Sequence, residues 1–113
     1  MDRIQFKEKM ERDGFTVSKK PMAAGTVNQD HTHPFDARLF VLAGHVTLGQ
    51  GIEEKVWGPS DICSVDADVE HSEKVDSLMD FTYLAALRWG GWILESFVHL
   101  AESTFGHCGG WRW

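Results

Sequence analysis

Three histidines are the residues of this chain best able to do chemistry. His31 and His33 are separated by one residue, and in a strand two residues so spaced point to the same face, roughly 6–7 Å apart. His71 follows an intervening hairpin-like stretch, so a returning strand can bring it alongside. Three imidazoles on one divalent ion leave positions open for water, substrate or oxygen, but histidine alone does not choose among iron, zinc, nickel and manganese. The spacing predicts a metal site; the alternative is a pair of surface histidines at a strand end.

The residues around the histidine pair predict the strand that positions it. Over residues 31–43 the odd positions after the histidines are apolar, which places them on one inward face. These inward residues include Phe35, Ala37, Leu39 and Val41. The even positions are polar near the histidines and become apolar at Phe40 and Leu42. We expect the outer face to be wet near the site and covered further along by a second sheet or a subunit.

The rest of the chain predicts a short helix followed by strands. Residues 4–13 are rich in helix formers, with Phe6 and Met10 on one face and Gly14 as a stop. Short apolar runs separated by turn residues then indicate a sandwich or barrel. Besides 31–43, the expected strands cover residues 15–18 (with a break or sheet edge at Pro21), 45–48, 52–57, 62–65, 69–75 and 81–87.

The C-terminal part differs in character. Four of the five tryptophans follow Arg88, and residues 92–103 carry apolar side chains at helical spacing. We expect a helix there, used in core or dimer packing, and a loose tail over 106–113. The whole chain, 1–113, is predicted to be one domain with a core at 14–87 and an extension at 88–113.

Composition narrows the partners. The 113 residues carry a net charge of -6, which disfavours nucleic acid and anionic membranes because both attract basic surfaces. No apolar run approaches a spanning helix, and residues 1–13 are too charged for a signal peptide. A cytoplasmic protein is expected, with Cys63 and Cys108 as free thiols rather than a disulfide.

The histidine pair also lies in a recognisable motif. Gly25, His31, His33 and Gly44 follow the spacing G-x5-H-x-H-x(3,4)-E-x6-G, apart from its acid. This pattern resembles the first motif of the cupin superfamily.

A second stretch resembles the other cupin motif. Pro59, Asp61 and then His71, ten residues after Asp61, are similar to G-x5-P-x-G-x2-H-x3-N. The resemblance covers about residues 14–87. It implies an all-β, antiparallel double-stranded β-helix (a jelly-roll barrel) of six to eight strands, open at one end. It also implies a homodimer, and a divalent metal bound by His31, His33 and His71.

Two departures from the motifs bear on the ligand set. The acid of the first motif is replaced by Ala37, which cannot coordinate; Asp36 beside it is either a rotated substitute or a solvated surface residue. The second motif lacks its Pro-x-Gly and its asparagine. Glu73 shares a strand face with His71, so it is a candidate inward acid, the alternative being a solvated charge near a strand edge.

The resemblance leaves the function open. One hypothesis is a three-histidine, metal-dependent, dioxygenase-like enzyme acting on a small organic substrate. Another is a non-catalytic small-molecule or metal sensor with a decayed ligand set, and a third is a structural dimer with an accidental histidine cluster. In the first two, the residues predicted to line the pocket are Phe35, Ala37, Leu39, Val41, Cys63, Glu73 and Tyr83.

Overall fold

The structure, a computed structural model, describes residues 1–89. It contains one helix and eight strands: α1 (Arg3–Arg12), β1 (Thr16–Met22), β2 (Val27–His31), β3 (Phe35–Ala43), β4 (Val46–Gln50), β5 (Glu53–Trp57), β6 (Ile62–Val65), β7 (His71–Val75) and β8 (Phe81–Trp89). The predicted helix over 92–103 and the tryptophan-rich tail lie outside these residues. Within residues 1–89, no helix has the length and apolar character needed to cross a membrane.

The strands form two four-stranded antiparallel sheets. One has the order β1-β8-β3-β6 and the other β2-β7-β4-β5. Their inner faces share one apolar core, because strand alternation sends every second side chain inward. That core consists of Met22, Phe35, Ala37, Leu39, Val41, Val46, Leu48, Cys63, Val65, Val75, Phe81, Tyr83 and Ala85. The predicted β architecture with a short N-terminal helix is therefore confirmed over residues 1–89.

Helix α1 covers the outer face of the first sheet. Asp2 and Gln5 form a capping box at its start, which satisfies two backbone N–H groups that would otherwise lack partners. Phe6 and Met10 are buried and pack in one cluster with Phe40 on β3. The expectation that a second sheet or subunit covers this face was therefore wrong; the chain's own helix does so.

Several strand limits differ from the predicted ones. Strand β4 was predicted to end at residue 48, but Gly49 and Gln50 continue it, so the turn to β5 consists of Gly51 and Ile52. Ile52 is fully exposed in this turn. Strand β7 begins at His71, not at residue 69, and β8 extends to Trp89. Strand β1 runs through Pro21, which is tolerated because β1 is at the edge of its sheet.

Gly44 offers a test of the backbone path after β3. Its φ is +79°, and a Cβ there would lie 2.5 Å from the backbone oxygen of Asp80. Gly25 has nearly the same φ, +78°, with nothing within 4 Å. We expect Gly25→Ala to lower the free energy of unfolding by about 1–2 kcal/mol, because alanine disfavours a positive φ. Gly44→Ala should lower it by roughly 3 kcal/mol or more, because the Asp80 backbone must also move. Urea denaturation measures both values, and equal losses would contradict the close approach.

Candidate metal centre

The three histidines converge at one end of the sandwich. His31 ends β2, His71 begins β7, and the two residues are paired across the sheet. His33 lies in the segment 32–34 between β2 and β3. The ring centroids are 4.4 Å apart for His31 and His71, 4.8 Å for His31 and His33, and 5.0 Å for His33 and His71. One ring nitrogen from each histidine lies within 4.8 Å of the other two.

The backbone that achieves this differs from the predicted continuous strand over 31–43. The strand is interrupted at residues 32–34, where Pro34 lacks an N–H and restricts the residue before it. The His33 carbonyl accepts a hydrogen bond from the Asp68 N–H, 2.8 Å away, rather than from a neighbouring strand. His33 therefore reaches the site from a loop. Its ring stacks on the Phe35 ring, with the ring centroids 4.7 Å apart.

An irregularity in β2 decides which side chain faces inward. Asn28 pairs with Glu73 and His31 with His71, so β2 advances three residues while β7 moves two. Strict alternation from the half-buried Asn28 would turn Asp30 inward and His31 outward. The extra residue leaves both Gln29 and Asp30 exposed and turns His31 inward. This is the re-aiming effect of a β-bulge next to a site.

Backbone carbonyls set the orientation of two of the rings. Nδ1 of His31 lies 2.6 Å from the carbonyl oxygen of Gln29, and Nδ1 of His71 lies 3.0 Å from that of Val69. A carbonyl only accepts, so each Nδ1 carries the proton and each Nε2 presents a lone pair. Metal-binding histidines are commonly held in this way, with the far nitrogen donating to a carbonyl.

Burial favours the neutral form of two of the rings, His33 and His71. His71 is fully buried and His33 is 4% exposed, whereas 29% of the His31 side chain is exposed. Burial, followed by the neighbouring His71 and His31 rings, lowers the pKa of His33 to about 3. Burial also lowers the pKa of His71. Neutral imidazoles are the form that binds a metal.

A carboxylate completes the cluster. Glu73 on β7 is fully buried; its Oε2 lies 3.2 Å from Nε2 of His31 and 3.4 Å from Nε2 of His71. Asn28 donates from Nδ2 to Oε1 at 3.0 Å. Burial raises the pKa of Glu73 to about 8, against the opposing effect of the Asn28 hydrogen bond. The alternative of a solvated charge near a strand edge was wrong, because the Glu73 side chain is fully buried and lies on a strand with neighbours on both sides.

These residues fit a divalent metal ion. Neighbouring donors that bind one cation at about 2.0–2.1 Å lie roughly 2.9–3.4 Å apart, so the three ring nitrogens, which lie within 4.8 Å of one another, would have to move closer together by at most about 2 Å to share an ion. Neutral imidazoles and a carboxylate suit iron, manganese, zinc or nickel. The geometry is compatible with a bound ion and does not select one.

Solved structures of the same architecture establish the fold. The chain is similar to a cupin superfamily protein from Desulfitobacterium hafniense, with a TM-score of 0.59 and 18% identity over 69% of this chain and 70% of that one. A protein with a double-stranded β-helix domain from Klebsiella pneumoniae gives a TM-score of 0.58 and 18% identity over 69% and 70%. The chain has the cupin fold. The predicted resemblance is thereby confirmed at the level of the fold.

An enzyme shares this cupin fold over part of its length. The DMSP lyase DddQ from Ruegeria pomeroyi matches with a TM-score of 0.61 and 23% identity over 73% of this chain. The match spans 42% of the lyase chain, well under half its length. A scan of protein-family models and a search of curated proteins gave no match.

At the position where the first cupin motif has an acidic residue, this chain has Ala37, which has no metal-binding atom. Ala37 is fully buried on the inward face of β3. Asp36 is not a substitute: it accepts from the Ala67 N–H at 2.9 Å and pairs with Arg88 at 3.1 Å. These contacts, the Ala67 N–H first, lower the pKa of Asp36. Its carboxylate is held on the other side of β3, as alternation requires.

The other predicted lining residues are inward but tightly packed. Phe35, Leu39, Val41, Cys63 and Tyr83 are each at most 3% exposed and belong to the shared core. Of these, Phe35 contacts His33 directly. Val41 is six residues further along β3, roughly 20 Å of extended chain. Burial, and then the charge of Asp61, raises the pKa of the Cys63 thiol to about 12, so it is an inert apolar residue; Cys108 lies outside the described residues.

A cleft lies on the β4–β5 side of the sandwich. It has a volume of about 420 Å³ and is lined by Leu48, Gln50, Glu53, Glu54, Lys55, Trp57 and Ser64. Leu48 is the cross-strand neighbour of Glu73, and paired side chains lie about 5 Å apart.

Asn28 was not predicted from the sequence to be part of the site. Without the irregularity in β2, residue 28 would not share a strand face with His31.

Proposed function

We propose that this protein binds one divalent transition-metal ion through His31, His33 and His71 and acts on a small organic substrate at that ion. The observation that supports it is the convergence of three imidazoles, two of them fixed with Nε2 toward a common point. Three such ligands leave coordination positions open, which is typical of a working metal site rather than a purely structural one.

The chain's own residues define how a substrate would reach the site. The cleft beside Leu48, the cross-strand neighbour of Glu73, falls in the size range of small-molecule sites, about 300–1,000 Å³, and is where we place the substrate. His31 is on β2, at the opposite edge of this sheet from β5, and its partly exposed side chain faces solvent there. Leu48 and Trp57 offer apolar contact in the cleft, and Gln50 and Lys55 offer polar contact. A bound metal would supply Lewis-acid polarisation of a substrate oxygen or activation of oxygen.

Among reactions, we favour an oxygen-dependent one of the three-histidine dioxygenase type. The three-histidine set and the apolar ring of Phe35 against His33 support a site that holds a chelating organic molecule. A non-catalytic metal-binding or sensing protein is the second candidate, favoured by the loss of the motif acid at Ala37. The single domain over 1–113 and the homodimer stay predictions.

Metal analysis and turnover test the proposal together. The protein is purified without chelators, its bound metals are measured, and it is reloaded anaerobically with Fe²⁺, Mn²⁺ or Zn²⁺. Oxygen uptake is then followed with 2,4-pentanedione and with cysteine, and elimination is assayed with DMSP because one structural match is a DMSP lyase. We expect about one metal per chain and oxygen uptake with Fe²⁺. Stoichiometric metal without turnover supports the binding protein instead, and absence of binding contradicts both.

A further inference from the structure

Two features of the site bear on its ligand set: the buried carboxylate of Glu73, and Ala37 in place of the acid of the first cupin motif. Ala37 offers no donor at the position where the first cupin motif has its acid, whereas Glu73 brings a fully buried carboxylate to the histidines from β7. We infer that Glu73 is the fourth protein ligand of the metal, supplied from a different strand of the barrel. This inference rests on the proposed metal site.

The distances are those of donors that share an ion. Bonds of about 2.0–2.1 Å at tetrahedral or octahedral angles separate neighbouring donors by roughly 2.9–3.4 Å. Glu73 Oε2 lies 3.2 Å from Nε2 of His31 and 3.4 Å from Nε2 of His71. The carboxylate oxygen therefore lies at the separation of neighbouring ligands from two of the three rings, those of His31 and His71.

Glu73 approaches the ring nitrogen that faces the ion. A carboxylate that merely orients a metal-binding histidine accepts from the other nitrogen, the one remote from the metal. In His31 and His71 that role is filled by the carbonyls of Gln29 and Val69 at Nδ1. Glu73 is on the Nε2 side of both rings, which is the position of a ligand.

The surroundings of Glu73 hold it in that position. Asn28 donates to Oε1, which directs Oε2 toward the rings. Glu73 is paired with Asn28 on β2 and with Leu48 on β4, so its backbone is fixed from both sides. Glu73 is thus preorganised, and a divalent cation would supply the charge that its buried carboxylate lacks.

The test compares Glu73→Gln with Glu70→Gln, the same substitution at an exposed position nearby. Glutamine keeps the size of the side chain and an oxygen for Asn28 but removes the anionic donor. We expect Glu73→Gln to weaken Zn²⁺ binding more than about 10-fold in competition with a chromophoric chelator, and to change the visible absorption spectrum of the Co²⁺ protein. The Glu70→Gln protein should match the wild type in both measurements.

An infrared difference spectrum of the wild type, Zn²⁺-loaded minus metal-free, gives an independent answer if the variant does not fold. A carboxylate band that shifts on loading supports the inference. Unchanged affinity and an unchanged Co²⁺ spectrum in Glu73→Gln, or no infrared shift, would overturn it while leaving the three-histidine site intact. Failure of the wild-type protein to bind Zn²⁺ and Co²⁺ at all would instead overturn the proposed function, and this inference with it.

Discussion

Replacing His71 by alanine is expected to lower the affinity for Zn²⁺ by more than about 100-fold, since loss of residues that only orient ligands already costs roughly 10–100-fold. His71 is fully buried and lies within 4.8 Å of both other donor atoms, so nothing replaces its nitrogen from solvent. The affinity is measured by competition with a chromophoric chelator. The rise in the unfolding temperature on adding Zn²⁺ is a second measure of binding, because a ligand at 1,000 times its Kd stabilises the folded state by about 4 kcal/mol.

His45→Ala is the matched control, because His45 is exposed and takes no part in the cluster. It should bind Zn²⁺ as the wild type does and gain the same thermal stabilisation. His31→Ala guards against a folding defect, since the His31 side chain is 29% exposed and its loss leaves a smaller void. Wild-type affinity in a folded His71→Ala or His31→Ala protein would exclude the three-histidine site.

Replacing Phe6 by alanine is expected to destabilise the protein by about 3–5 kcal/mol. The Phe6 ring is fully buried on α1 and lies 5.4 Å from the Phe40 ring on β3. A domain of this size is stable by roughly 5–15 kcal/mol in total, so the loss is a large share. Urea denaturation of the metal-free protein measures it.

Ile4→Ala is the control for this helix, because Ile4 is 66% exposed in the same first turns. We expect its effect to stay within about 0.5 kcal/mol. Zn²⁺ affinity should be unchanged in both variants wherever they are folded, since α1 packs against Phe40 and Leu84 on the outer face of the first sheet, whereas His31 and His71 belong to the second sheet. Equal destabilisation by the two substitutions would show that α1 does not dock as described.

The helix and strand β3 could be predicted from the sequence because their buried residues recur at the regular spacing of a helix and of a strand. The helix spacing of Phe6 and Met10 and the inward alternation of β3 from Phe35 onward are both found. The single strand over 31–43 failed because parity counting assumes an unbroken strand, and Pro34 with its neighbours interrupts it. The separate strand β2 was missed for a related reason: it is polar and at a sheet edge, so burial imposes no alternation.

The candidate site was partly predictable for the same reasons. The three histidines follow from spacing and from the cupin resemblance. Glu73 could be placed on the face of His71 by alternation, but a lone sequence does not show that this face of β7 packs into the core between the two sheets, and that packing buries the carboxylate. Asn28 could not be placed, because its orientation depends on the extra residue in β2.

The irregular stretch of β2 makes chain length a determinant of the site. Gln29 and Asp30 are both solvent-facing, so many polar side chains would serve equally at either place. Their number, by contrast, sets how the strand must run: with a single residue between Asn28 and the histidine, plain alternation would turn both side chains inward, whereas with two residues both face inward only because the pairing is irregular here. Comparisons with other cupin folds should therefore count the residues before this histidine as carefully as they match them, because its inward direction depends on that count together with the pairing.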